Sequence, residues 1–147
     1  MEFRLKKFSE LTTSELYGIL KLRSEVFVVE QNCAYQDLDD KDECAWHLFL
    51  EDEGSIVAVL RILPENVSYD EMAIGRVAVK ESHRNRGIAK KMMIFAIDFI
   101  TGDLKKTGLR LSGQAYLTDF YIGLGFKKVS DSYLEDGIEH FEFSYGI

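Results

Sequence analysis

Proline is almost missing from this chain: Pro64 is the only one in 147 residues. With 46% hydrophobic and 29% charged residues and no biased tract, nothing reads as a long linker or a disordered segment. The length suffices for one hydrophobic core and is short for two, so a single domain over residues 1–147 is expected. Cysteine and histidine are scarce as well. Cys33 and Cys44 do not form a close metal-type pair, and the three histidines are dispersed, which argues against a zinc site and leaves free thiols as the expectation, with no metal. No stretch approaches the roughly 20 apolar residues of a membrane span, and Met1-Glu2-Phe3-Arg4-Leu5-Lys6-Lys7 lacks the apolar region of a signal peptide. A soluble, cytoplasmic protein without membrane contact is expected. An excess of positive charge is also missing. The formal charge of -7 argues against nucleic acid, whose phosphates are held by clustered Lys and Arg, and is compatible with a cationic substrate.

Against that acidic background Lys80, His83, Arg84, Arg86, Lys90 and Lys91 form a local basic cluster. Such a run draws an anionic ligand, although a charge run taken alone reads more readily as a solvated face. The neighbouring pattern decides between the two. Thr12-Thr13-Ser14-Glu15 has capping-box spacing, and Leu16, Ile19, Leu20, Arg23, Val26 and Phe27 follow a helical period into Val28-Val29-Glu30-Gln31. The polar stretch from Asn32 to Ala45 reads as a loop that borders a site. His47–Glu51 and Ile56–Leu63 flank the Gly-containing turn Asp52-Glu53-Gly54-Ser55 as a hairpin. Met72 to Val79 is a further strand, in which Gly75 marks a bulge or a close backbone approach.

Gly87 then opens a segment in which Ile88, Met92, Phe95, Ala96, Phe99 and Ile100 recur at helical spacing, up to the turn at Thr101-Gly102-Asp103. The run Leu109-Arg110-Leu111-Ser112 completes a βαβ unit whose two strands should be parallel. A short helix over Leu117 to Leu124, stopped by Gly125, and strands at Phe126–Val129 and Phe141–Tyr145 finish the chain. The class is α+β: a mixed, largely antiparallel sheet with a central parallel βαβ unit, flanked by helices.

The chemistry concentrates where the strand ending in Val77-Ala78-Val79 turns through Lys80-Glu81-Ser82-His83-Arg84-Asn85-Arg86 into a helix at Gly87-Ile88-Ala89-Lys90. The first turn of a helix presents unpaired N–H groups and the positive end of its dipole, and a glycine there lets a pyrophosphate approach without a side-chain clash. A dinucleotide or nucleoside triphosphate is a poorer match, because G-x-G-x-x-G and G-x-x-x-x-G-K-[ST] are both missing.

Arg84-x-x-Gly87-x-Ala89 resembles the Arg/Gln-x-x-Gly-x-Gly/Ala signature of the GNAT acetyltransferases, and Tyr121-Ile122-Gly123-Leu124-Gly125-Phe126 resembles that family's second signature, Tyr-x-x-x-Gly-Phe. Leu22-Arg23-x-x-Val26-Phe27-Val28-Val29-Glu30-Gln31-x-Cys33-x-Tyr35, Ser112-Gly113-Gln114-Ala115-Tyr116 and Tyr133-x-Glu135-Asp136-Gly137-Ile138-x-His140 are similar to the ElaA-type subgroup, so the likeness spans nearly the whole chain. Glu139 stands where that subgroup usually has proline, and Gln114 where many of the family place an asparagine against the pantetheine.

The resemblance implies acetyl transfer from acetyl-CoA, as co-substrate, to a primary amine of a small molecule or peptide, by direct attack on the thioester. It implies that Arg84, Asn85, Arg86, Gly87, Ile88, Ala89 and Lys90 hold the pyrophosphate, that Val77, Ala78 and Val79 pair with the pantetheine like an added strand, and that Gln114 contacts the same arm. A backbone N–H near Val77 would steady the oxyanion. Tyr121 would protonate the leaving thiolate; on spacing alone it reads equally as an aromatic packing residue. Glu30, His47, Glu71, Glu135, Asp136 and His140 stay open as bases. Cys33 lines a pocket or packs, since no His or Asn spacing supports a covalent mechanism. The expected partners are acetyl-CoA and an amine acceptor, with a homodimer left open. From a different class, the alternative is a non-catalytic CoA-binding or sensing module.

Overall fold

A computed structural model describes residues 2–147. Eight strands form one sheet: β1 (Phe3–Lys7), β2 (Trp46–Asp52), β3 (Ser55–Leu63), β4 (Met72–Val79), β5 (Leu109–Gln114), β6 (Lys127–Lys128), β7 (Tyr133–Glu135) and β8 (Ile138–Tyr145). The order is β1-β2-β3-β4-β5-β8-β6, with β7 paired to β8. Every pairing is antiparallel except β4 with β5, which is parallel, as the expected mixed sheet requires. Three α-helices, α1 (Thr13–Arg23), α2 (Ile88–Asp98) and α3 (Thr118–Gly123), pack around it. Among the described residues no helix is long and apolar enough to cross a membrane.

The alternation of strand side chains sorts the core into two layers. On one face Phe49, Val59 and Ala78 pack against Ile19, Leu22 and Val26 from α1 and the segment after it. On the other, Leu48, Leu50, Leu60, Ile62, Leu109, Leu111 and Phe143 pack against Ile88, Met92, Met93, Ala96 and Ile97 of α2, with Tyr121 of α3. Leu48, Phe49 and Leu50 are consecutive, so the sheet is buried on both sides there. The apolar stripe of α2 is wider than its spacing suggested. Met93 and Ile97 belong to the core, while Phe95 is 38% exposed and meets Phe3 with ring centroids 6.1 Å apart.

α1 begins at the expected capping box: the Thr12 hydroxyl accepts from the Glu15 N–H at 3.1 Å, and the Glu15 carboxylate accepts from the Thr12 N–H at 2.9 Å. Such caps contribute about 1 kcal/mol. The helix runs on as a π-helical segment over Ser24–Glu30, so the chain stays helical to the edge of the predicted loop.

The structure corrects several element bounds. Phe3–Lys7 is a strand, and Tyr133–Glu135 is another, joined to β8 by a turn in which Asp136 and Gly137 both have positive φ, 52° and 77°. The expected strand at Phe126–Val129 contracts to Lys127–Lys128, and β8 begins at Ile138 rather than Phe141. The bulge in β4 lies at Arg76 and Val77 rather than at Gly75. Arg61 pairs with Gly75 and Val59 with Ala78, so Leu60 faces two residues.

Candidate active site

Parallel β4 and β5 stay in register only at Met72 with Leu109 and Ala73 with Arg110. Beyond Ala73 the two strands part. Gly75, Arg76, Val77, Ala78 and Val79 therefore have no registered neighbour on the β5 side, and Arg76 and Val77 have none on β3 either. A sheet that opens in this way exposes a row of backbone donors and acceptors able to receive an added strand-like ligand. Ala78 is 3% exposed, with its side chain beneath α1. Val77 and Val79 pack against the α2-side core. A Cβ built on Gly75 would meet nothing within 4 Å; the glycine borders open space rather than a crowded backbone.

At the end of β4 the chain turns through Lys80 to Arg86 into α2. Asn85 and Gly87 both adopt left-handed backbone, with φ of 63° and 74°, which brings the chain round sharply enough for Ile88 to enter the core at 6% exposure. Gly87 is the N-cap of α2, and no side chain caps it. A Cβ at Gly87 would meet nothing within 4 Å. The helix thus starts with uncapped N–H groups beneath open space, the feature that admits a phosphate. Ala89 is half-buried and Lys90 is exposed at the same turn.

The two arginines of this loop are engaged within the protein. Arg84 donates through Nε to the Val79 carbonyl at 2.9 Å and through a terminal nitrogen to Glu30 at 2.6 Å. Arg86 reaches the Ser82 carbonyl at 3.3 Å. His83 donates from Nε2 to Asp52 at 2.7 Å, and its Nδ1 lies 2.8 Å from the Ser82 hydroxyl, tying the loop to the β2–β3 turn. His83, Arg84 and Arg86 thus brace the loop through these contacts.

Across the opening, β5 ends at Gln114, which pairs with His140 of β8, and α3 follows with Tyr121. The Tyr121 ring is 6% exposed and sits among Phe120, Phe126 and Phe143 at centroid distances of 5.3, 6.0 and 5.0 Å. It also lies against the backbone of Gly113: a Cβ there would come 2.5 Å from Tyr121 Cε2. Burial first, and then the neighbouring Tyr116, push its phenol up to about 12, so the hydroxyl stays a proton donor throughout the neutral range.

The open base candidates separate clearly. His47 is 1% exposed; burial pushes its pKa down, and Nε2 donates to the Asp42 carbonyl at 2.9 Å, so it is a neutral structural imidazole. Glu30 is held by Arg84 and Glu71 by Arg110. Glu135 and His140 form a pair at 3.2 Å, with Nδ1 of His140 donating to the Ile138 carbonyl at 2.7 Å. Asp136 lies in the β7–β8 turn, where its carbonyl accepts from Cys33 Sγ at 3.4 Å. That contact joins the loop after α1 to the β7–β8 hairpin. Cys33 and Cys44 are free thiols, and among the described residues no group of His, Cys, Asp and Glu is arranged to hold a metal.

One constellation escaped sequence reasoning. The polar loop 32–45 is pinned by three arginines from three elements. Arg23 reaches Asp37 at 2.9 Å and Asp42 at 2.7 Å, Arg61 reaches Asp39 at 2.5 Å and Asp42 at 3.0 Å, and Arg76 reaches Asp37 at 2.8 Å and Asp39 at 3.4 Å. Burial raises the pKa of Asp39 and Asp42, but the arginine hydrogen bonds and charges outweigh it and hold both carboxyls below the usual range. Arg76 itself has φ of +51°, a conformation that costs a residue with a side chain about 1–2 kcal/mol. The signal was present in outline: Arg23 on the apolar stripe of α1 and Arg61 inside the run Val57–Leu63 are buried charges, which require partners, and the loop between them carries Asp37, Asp39, Asp40 and Asp42. A separate cleft of about 560 Å3, bordered by Tyr17, Lys21, Glu25, Glu51, Gly54 and Lys80, contains none of the predicted site residues. Its lining mixes both signs of charge.

Comparison with known proteins gives a consistent picture. Residues 10–146 match the family model described as acetyltransferase (GNAT) domain. A UPF0039 protein of Schizosaccharomyces pombe is 42% identical over 144 residues, covering 97% of this chain and 95% of that protein. The crystal structure of an acyl-CoA N-acyltransferase from Pseudomonas aeruginosa superposes with a TM-score of 0.93 at 36% identity, covering 98% of each chain. That of Escherichia coli ElaA gives 0.90 at 36% identity, covering 99% of each.

Proposed function

The chain belongs to the GNAT acetyltransferase family, in its ElaA-type subgroup, and on that premise we propose that it acts as a single domain transferring an acetyl group from acetyl-CoA to a primary amine. The observation that supports this reading most is the parting of β4 and β5 after two registered pairs, with the uncapped start of α2 at the mouth of the opening. A linear ligand carrying a pyrophosphate at one end and an amide-bearing arm at the other is complementary to that arrangement.

Acetyl-CoA supplies the acetyl group as a thioester. In this reading the N–H groups of Gly87 to Lys90, helped by Lys90, Asn85 and the arginines at 84 and 86, bind the pyrophosphate. The backbone of Val77 to Val79 hydrogen-bonds the pantetheine amides, and Gln114 offers its side-chain amide from the opposite strand. The Val77 N–H donates to the thioester oxygen as charge grows on it, a contribution typically worth a few kcal/mol. The Tyr121 hydroxyl donates to the departing sulfur; with its pKa pushed up to about 12, it is protonated when needed. The acceptor approaches from the side bounded by the loop 32–45 and the β7–β8 hairpin, which the Cys33 to Asp136 contact brings together. Acidic groups there, Glu135 and Asp136 among them, suit a cationic amine. That amine gives one proton to water before its lone pair attacks the thioester, and the second proton leaves the nitrogen through water as the tetrahedral species collapses and Tyr121 protonates the departing sulfur.

The test is a CoA-release assay on polyamines, amino acids, aminoglycosides and peptides, with mass spectrometry of the products and calorimetry with acetyl-CoA. An acetylated amine formed only with both substrates present is the expected result. Acetyl-CoA bound tightly with no acetylated product from any acceptor would favour the non-catalytic CoA-binding module. No binding at all would sink both readings.

A further inference from the structure

The loop between α1 and β2 and the bulge in β4 are 39 residues apart in sequence, yet one side chain joins them. Arg76 sits in the bulge with left-handed backbone. Its Nε donates to the Asp37 carboxylate at 2.8 Å, and a terminal nitrogen donates to the Asp37 carbonyl at 3.2 Å and to Asp39 at 3.4 Å. Its guanidinium lies 5.8 Å from the centre of the Tyr35 ring. Asp37 is fixed in turn by Arg23, which is 1% exposed at the end of α1 and reaches its other carboxylate oxygen at 2.9 Å.

A residue with a Cβ leaves the left-handed region unless its surroundings hold it there. Neither β3 nor β5 offers Arg76 or Val77 a one-to-one partner, and the ladder resumes only at Gly75 with Arg61 and Ala78 with Val59. The side chain is the restraint that acts on residue 76 itself. We propose that the Arg76–Asp37 clamp is a positioning device: it keeps residue 76 left-handed and thereby aims the Val77 N–H into the opening between β4 and β5. Arg76 touches no reacting atom in this scheme. It acts through the backbone of the next residue and makes the order of the loop 32–45 and the geometry of the oxyanion donor one property. The second half of this inference rests on the acetyl-transfer reading; the first half does not.

Three forms of the full chain test it: the wild type, Arg76→Ala and Arg76→Gly. Both variants lose the clamp, but glycine enters the left-handed region without penalty whereas alanine does not. In the ligand-free protein, amide NMR reads the φ of residue 76 through its three-bond coupling and the Val77 N–H through its chemical shift. Arg76→Ala should move both, and Arg76→Gly should leave the Val77 signal close to wild type. With [1-13C]acetyl-CoA bound, the thioester carbonyl stretch should fall in frequency in the wild type and in Arg76→Gly. That shift should be lost in Arg76→Ala while the affinity for CoA itself changes less than about twofold, and acetyl transfer should slow by up to about 10²-fold, the scale of one misplaced oxyanion donor. An unmoved Val77 amide and an undiminished carbonyl shift in Arg76→Ala would overturn the clamp. An intact Val77 response without any carbonyl shift in the wild type would instead overturn the role given to Val77, and the second half of the proposal with it.

Discussion

The ring of Tyr121 is packed on three sides by Phe120, Phe126 and Phe143, which explains why spacing alone left its role undecided: it is a core aromatic and, in the reading adopted here, also the acid. The two roles separate on removal of the hydroxyl. Tyr121→Phe keeps the packing, so acetyl-CoA affinity should change little. Turnover should drop about 10²–10⁴-fold, the usual contribution of general acid catalysis. The sign of the pKa shift adds a constraint. Burial raises the phenol to about 12, so the donor form is complete below about pH 10 and is lost only as pH rises through the folded value. A rate change between pH 7 and 10 therefore belongs to another group, and Tyr121→Phe should leave its midpoint in place. Single-turnover rates across that range decide the matter; a variant within about twofold of wild type would remove Tyr121 from the mechanism.

At the scale of elements, the strand bearing Gly113 and the helix bearing Tyr121 form an interlock. Gly113 has no unusual φ, so backbone strain does not demand a glycine there; the Tyr121 ring, 2.5 Å from a would-be Cβ, and Phe143 at 3.1 Å do. Gly113→Ala should force α3 outward, lowering stability by about 1–3 kcal/mol, the usual range for overpacking. Denaturant unfolding of Gly113→Ala, and of the same change in a Tyr121→Ala background, provides the check. The cost should shrink in the second case, and an equal cost in both would show that the ring is not the obstacle. Elements with strong local patterns were legible from the sequence: the capped α1, the β2–β3 hairpin, β4 and α2. β1 was not, because only Phe3 and Leu5 of its five residues meet the core. β7 is three residues long and has little pattern of its own; the Asp136-Gly137 dipeptide after it was the usable signal. The bulge was expected at Gly75 because glycine is the usual local sign. A contact with Asp37 holds it at Arg76 instead, and a contact over that distance leaves no trace in neighbouring residues.

For the whole molecule, the family and the mixed sheet were readable because two short motifs fell between elements of the right type. The charge network was not, since its six members come from α1, β3, β4 and the loop 32–45 and meet only after folding. The central claim is that the opening between β4 and β5 receives acetyl-CoA. Titration of 15N-labelled protein with acetyl-CoA, followed residue by residue through amide shifts, tests it most directly. The account predicts saturable shifts concentrated at Val77 to Val79, Gly87 to Lys90 and Gln114, with little change around the cleft bordered by Tyr17, Lys21 and Glu51. Shifts centred on that cleft, or no saturable shifts at all, would contradict it.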